Sequence, residues 1–158
     1  MPPIFQTAWE ELVSPLFRRP FHEQVAALCY RGKGAEKEVL LITSRGTGRW
    51  ILPKGWPMVG KNSAEAAAQE AWEEAGVKGK AFERCLGIYS YNKFIGLERG
   101  LPCVAMVYPV KVKSLEDSFP EQGQRRRKWF SLKKAAAKVA EPELSQILKT
   151  FDPKALKT

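Results

Sequence analysis

A chain of 158 residues, 44% hydrophobic and 27% charged, is long enough for one domain with its own core and short for two. It has no apolar run near the roughly 18 residues that a membrane-spanning helix needs, and its Met-Pro-Pro-Ile-Phe start lacks the basic-then-apolar form of a secretory signal. The 26 basic and 17 acidic side chains give a charge of +9, which favours anionic partners (nucleic acid, an acidic membrane surface, a polyphosphate) over the bland alternative of a solvated basic surface only when local features agree.

Residues 1–22 are rich in Pro and aromatic side chains and read as an irregular arm, with room for a short helix from Thr7 to Leu12. Gln24–Arg31 is an apolar run of strand length. A turn over residues 32–37 and a second apolar run, Glu38–Ser44, complete a hairpin. Gly46 and Gly48 mark another turn, Trp50–Leu52 a short strand, and Gly55–Lys61 a loop. Asn62 or Ser63 can cap the one strong helix, which Gly76 ends. At about 100° per residue, Ala64, Ala67, Ala68, Ala71, Trp72 and Ala75 share one side of it, and so many alanines predict close packing on a sheet.

Strands follow at about Phe82–Tyr91 and Val104–Val112, joined by a loop with Lys93, Arg99 and Gly100. Residues 114–124 form a polar connection, Trp129-Phe130 a short extended piece, and Leu132–Val139 and Glu143–Phe151 two closing helices. Strands and helices mix without strict alternation, which fits a mixed β-sheet flanked by helices. Cys29, Cys85 and Cys103 are odd in number, far apart and set in apolar stretches, so free thiols in a reducing, cytoplasmic setting are expected.

The chemistry concentrates in Gly55–Lys61 and Gln69–Val77. Glu70, Glu73 and Glu74 are three and four residues apart, so their carboxylates meet on one flank of the helix. Three adjacent anions repel one another, and a hard dication such as Mg²⁺ or Mn²⁺ removes that cost. Taken alone, the triplet also fits a solvated acidic face.

The wider context decides between them. Gly55, Glu70, Glu73, Glu74, Gly76 and Val77 stand in register with the Nudix box over 23 positions, and Arg49–Lys54 is similar to the approach to it. Lys61 stands where the pattern has its first Glu, and Gln69 where it has Arg. Similarity extends over residues 23–150 and is greatest to the diphosphoinositol polyphosphate phosphohydrolase branch, with Arg125–Ala136 among its carriers. The resemblance implies an α/β/α sandwich in one domain (23–151) between an arm (1–22) and a tail (152–158), with the box as loop–helix–loop.

It further implies a hydrolase of phosphoanhydrides using Mg²⁺ or Mn²⁺. In that reading Glu70 and Glu74 are metal ligands, and Glu73 is the proton acceptor or a further ligand. The Lys54 carbonyl supplies a backbone ligand, Gly55 and Gly76 shape the box, and Thr43, Ser44, Arg45 and Arg125 contact substrate. Lys61 either faces an especially anionic substrate or lowers the number of metals bound, and Gln69 keeps hydrogen-bonding capacity without charge. A loop acid (Glu98, Glu116 or Glu121) can complete the site. The expected substrate is a small diphosphoinositol or dinucleoside polyphosphate. Removal of pyrophosphate from a nucleoside triphosphate or an RNA 5′ end is the rival inside the enzyme class. A Nudix-like module that binds without cutting is the rival outside it. Arg125–Lys128 reads equally as a phosphate clamp and as a solvated run. Trp50, Trp56, Tyr89 and Tyr91 read as packing before nucleobase stacking, and His22 as structural.

Overall fold

The computed structural model describes residues 22–93 and 101–156; the helix expected over Thr7–Leu12 and the loop acid Glu98 lie outside them. Eight strands form one mixed sheet: β1 (His22–Arg31), β2 (Glu38–Thr43), β3 (Trp50–Ile51), β4 (Lys54–Gly55), β5 (Val77–Ala81), β6 (Gly87–Lys93), β7 (Leu101–Leu115) and β8 (Arg127–Ser131). Its spine runs β3-β2-β1-β7-β5, with β4 added to β1, β6 to β7 and β8 to β2. The β1–β7 pair is parallel over nine residue pairs, and the other pairings are antiparallel.

The central strand β1 shows why two layers of helix are needed. Residues 24–30 are buried on both faces, so neither face of the strand can be left to water. Val25, Ala27 and Cys29 meet the alanine side of α1 (Ser63–Ala75), where Ala66, Ala67, Ala71 and Ala75 are at most 1% exposed. Ala26, Leu28 and Tyr30 point the other way, into a core with Ala135 and Ala136 of α2 (Leu132–Lys138), Leu144 and Leu148 of α3 (Pro142–Thr150), and Phe151. The result is the expected α/β/α sandwich. The small side chains on α1 let its axis lie close to β1.

Three boundaries differ from the sequence reading. The run expected as one strand over Phe82–Tyr91 starts only at Gly87, and a separate strand, β5, directly follows Gly76. Val77-Lys-Gly-Lys-Ala is a polar edge strand with a register shift at Lys78/Gly79, so it carries neither an apolar run nor a clean alternation. Lys54–Gly55 pairs with Ala26 and Val25 where a loop was expected to begin; a two-residue strand leaves no period to read. Strand β7 reaches Leu115, beyond the expected Val112, because the polar residues at its end still pair with β5.

Candidate active site

Helix α1 is fixed at both ends. At its start the Asn62 side chain accepts the Glu65 N–H at 2.8 Å, and the Glu65 carboxylate accepts the Asn62 N–H at 3.0 Å. This reciprocal capping box satisfies two of the amide groups a helix otherwise leaves unpaired. At its end Gly76 takes the left-handed conformation (φ +70°) that a Cβ disfavours, and its N–H bonds Trp72 O at 3.0 Å. A Cβ on Gly76 would also lie 2.6 Å from Glu116 O and 2.8 Å from Arg127 Nη1, so the turn is closed sterically as well.

Between these ends, Glu70 and Glu74 are 9% and 8% exposed. They sit one helical turn apart on the edge of the buried face, where β4 covers them. Gly55 rests directly on Glu70: a Cβ there would stand 2.6 Å from Oε2 and closer still to Oε1 and Cδ. Glu74 Oε1 accepts the Lys54 backbone N–H at 2.9 Å. The short strand β4 therefore supplies the roof of the carboxylate pair, and its glycine permits the contact.

Glu74 has a second partner. Arg125 Nη2 stands 3.2 Å from Glu74 Oε2 and 3.7 Å from Glu121 Oε1, and Arg125 Nη1 donates to Thr43 O at 3.2 Å. Arg125, expected to face substrate, has a side chain only 8% exposed and is an internal brace in this arrangement. Thr43, also expected at the substrate, is buried: its hydroxyl accepts the Arg126 N–H at 2.9 Å, which locks the end of β2 to the entry of β8. Burial raises the Glu74 carboxyl above its ordinary range. Arg125 and the Lys54 N–H pull it down, and Glu121 adds to the rise.

Glu73 lies beside the pair and is half-buried, and Gln69 Nε2 donates to its Oε1 at 3.0 Å. Gln69 thus holds a helix carboxylate without contributing a charge. Of the loop acids, Glu121 is at the site. Its N–H bonds Glu73 O at 2.9 Å, and its carboxylate lies near both Arg125 and Arg45. Glu116 instead pairs with Lys78. Arg45 is exposed and held at 2.9 Å by Gln124, a residue without any motif signal. The Ser44 hydroxyl bonds that of Thr47 within the β2–β3 turn, and Lys61 is exposed just before the helix. The Lys54 ammonium lies 4.6 Å from the centroid of the Tyr91 ring.

The run Arg125–Lys128 divides by strand alternation. Arg127 turns inward and donates to Ala75 O and Glu116 O at 2.7 and 2.6 Å, clamping the last turn of α1, while Arg126 and Lys128 are exposed. The two inward members were detectable only as a parity, and their carbonyl and carboxylate partners carried no signal.

As arranged, no three His, Cys, Asp or Glu side chains among the described residues converge into a metal cluster. The donor chemistry still suits a hard dication: two buried carboxylates one turn apart, a third beside them, and the backbone of β4 packed on the pair. Both oxygens of Glu74 are engaged, so a cation gains full access to it only as Arg125 yields Oε2.

The NUDIX domain model matches residues 20–151, most of the chain and all of the site just described. The chain belongs to the Nudix family. Among its relatives, human diphosphoinositol polyphosphate phosphohydrolase 3-beta is 32% identical over 117 residues, covering 73% of this chain and 67% of that protein. A Nudix hydrolase from Nitrosomonas europaea superposes with a TM-score of 0.62 at 23% identity, covering 82% of this chain and 87% of that one. The C. elegans Ap4A hydrolase superposes with a TM-score of 0.57 at 18% identity, covering 82% and 95%. This Nudix chain is accordingly a hydrolase by family. Nudix hydrolases generally need divalent metal ions. Among its described residues no helix is long and apolar enough to cross a membrane.

Proposed function

We propose that this Nudix hydrolase cleaves a phosphoanhydride bond with a divalent cation, Mg²⁺ or Mn²⁺, held by Glu70, Glu74 and the Lys54 carbonyl. The observation that carries the reading is the pair of buried carboxylates packed beneath the backbone of β4. Burying two acids one helical turn apart is costly unless positive charge offsets them, and a dication held by both would do so. A bound dication would supply polarisation of phosphate oxygens and acidification of water.

The chain's own residues do the rest. Gln69 orients Glu73 through one carboxylate oxygen and leaves the other oxygen to face the attacking water. Water adds to phosphorus, the bridging P–O bond breaks, and the proton passes to Glu73. Glu70 is the second acid in reach and stands in for that role if Glu73 turns to the metal. Arg45, Lys61 and Ser44, on exposed loops, are the side chains assigned to the phosphates, with Lys61 adding charge toward a crowded polyanion. Thr43 and Arg125 are assigned to positioning, and Gly55 and Gly76 to shape.

The similarity to a human diphosphoinositol polyphosphate phosphohydrolase and to an Ap4A hydrolase supports two substrate classes, diphosphoinositol polyphosphates and dinucleoside polyphosphates. The three free cysteines fit a reducing, cytoplasmic setting. The test is a phosphate-release screen over nucleotides, capped RNA and inositol pyrophosphates, with and without Mn²⁺. Mn²⁺-dependent turnover of one polyphosphate class supports the reading. Tight binding with no turnover favours instead a sensing module, for which the engaged Glu74 and the uncharged Gln69 are the motives.

A further inference from the structure

A sizeable cavity formed by described residues lies away from the carboxylates. It has a volume of about 590 Å³ and opens where the end of β1, the β1–β2 turn, β7 and the C-terminal segment meet. That volume is within the range of small-molecule sites. Tyr30, at its floor, is five residues along β1 from Val25, the partner of Gly55. At about 3.3 Å per residue the two sites are roughly 17 Å apart along the strand. They are also on opposite faces: Tyr30 belongs to the core beneath α2 and α3, and α1 covers the other side.

The lining has two halves. Lys33, Lys37, Lys111 and Lys154 form the rim, against a single acid, Asp152. Asp152 is already engaged, by the Lys37 ammonium at 3.9 Å and the Lys154 N–H at 3.0 Å. Among the described residues Lys33, Lys111 and Lys154 make no ion pair, so the lining, with four lysines and one aspartate, carries a net positive charge. The floor is apolar and partly aromatic, from Tyr30, Phe82 and Leu156. Lysines around a mouth bind phosphate as point charges, and an aromatic floor accepts a flat ring. An inositol polyphosphate carries phosphates around its whole ring and has nothing to lay on such a floor. A nucleoside diphosphate has a base for the floor and a charged chain for the rim.

We propose that this cavity is a second ligand site that takes a nucleoside diphosphate, its base against Tyr30 and Phe82 and its phosphates among Lys33, Lys111 and Lys154. The inference is independent of the hydrolytic reading, because it uses none of the carboxylate residues. Calorimetry on the full chain in EDTA, with ADP as the probe, tests it. One ADP binds, and the double variant Lys33→Ser, Lys111→Ser weakens it at least tenfold. Glu70→Gln with Glu74→Gln leaves the affinity unchanged, and adenosine and pyrophosphate each bind at least tenfold more weakly than ADP. Absence of binding, equal affinity in the lysine variant, or loss in the glutamate variant overturns the site. Pyrophosphate binding as tightly as ADP overturns the nucleotide. Should the lysine variant misfold, amide shift mapping of the wild type decides. Changes over Gly32–Lys37 and Lys111 support the proposal, and changes confined to residues 54–74 refute it.

Discussion

Replacing Gly55 with Ala tests whether the roof over the carboxylates sets their position. The added Cβ would stand 2.6 Å from Glu70 Oε2, and ordinary contact begins near 3.4 Å, so the carboxylate must retreat by about 1 Å. It cannot do so freely, because it is 9% exposed and confined between β4 and the body of α1. Overpacking of this kind costs about 1–3 kcal/mol, and each kcal/mol lowers Tm by roughly 2–4 °C in a chain of this size. The protein therefore stays folded at 25 °C. Misplacing a catalytic group by 1 Å costs on the order of 10²-fold in rate, so turnover falls much further than stability. The assay is kcat with saturating Mn²⁺ on the substrate found in the release screen, beside a thermal melt. A folded Gly55→Ala protein with kcat within threefold of wild type would refute the idea that β4 positions Glu70.

Arg125→Met removes a buried cation and leaves Glu74 without its brace; loss of about 3–5 kcal/mol is expected in urea denaturation, and a loss under about 1 kcal/mol would show that solvent already screens the pair. Glu73→Gln keeps the fold and the KM but lowers kcat by about 10²–10⁴-fold; near-normal kcat moves the base elsewhere, with Glu70 next in line. In EDTA, Glu74 also sets a pH dependence. Its folded carboxyl is raised above the ordinary 4.5, so the native state binds the proton more tightly than the unfolded chain. Its contribution to stability is thus present at low pH and lost as pH rises from 4.5 through the raised value. The difference in Tm between wild type and Glu74→Gln should shift toward the Gln variant over that interval, and a flat difference from pH 4.5 to 7 counts against a buried, charge-averse Glu74.

Much of the fold was legible because the chain's strongest signals are periodic. The apolar run of β1, the alanine stripe of α1 and its Asn62 and Gly76 ends each reflect a local rule, and the structure follows them to within a residue or two. The short and polar strands β4 and β5 were not legible, since pairing partners distant in the chain, and not their own residues, make them strands. The same limit applies at the site. The spacing of Glu70, Glu73 and Glu74 announced a shared flank, but not that β4 would bury two of them. Arg125 could be assigned a charge from its letter, while its pairing with Glu74, 51 residues away, is a property of the packed sheet. Glu116 and Glu121 look alike in sequence. The packed structure separates them: Glu121 N–H bonds Glu73 O and its carboxylate lies by Arg125 and Arg45, while Glu116 pairs with Lys78.

The double anchoring of α1 bears on how such a protein can change what it recognises. Its 13 residues span about 20 Å, and the capping box holds one end while Arg127 and Gly76 hold the other. The 44–49 and 56–61 segments, which carry Ser44, Arg45 and Lys61, contribute to neither anchor. Insertions or charge changes in those segments can therefore alter the outline and charge presented to an incoming molecule while the spacing of Glu70, Glu73 and Glu74 stays fixed. Under the proposed function, recognition and bond cleavage would be separately mutable: one written on turns that tolerate variation, the other on a rod clamped at both ends.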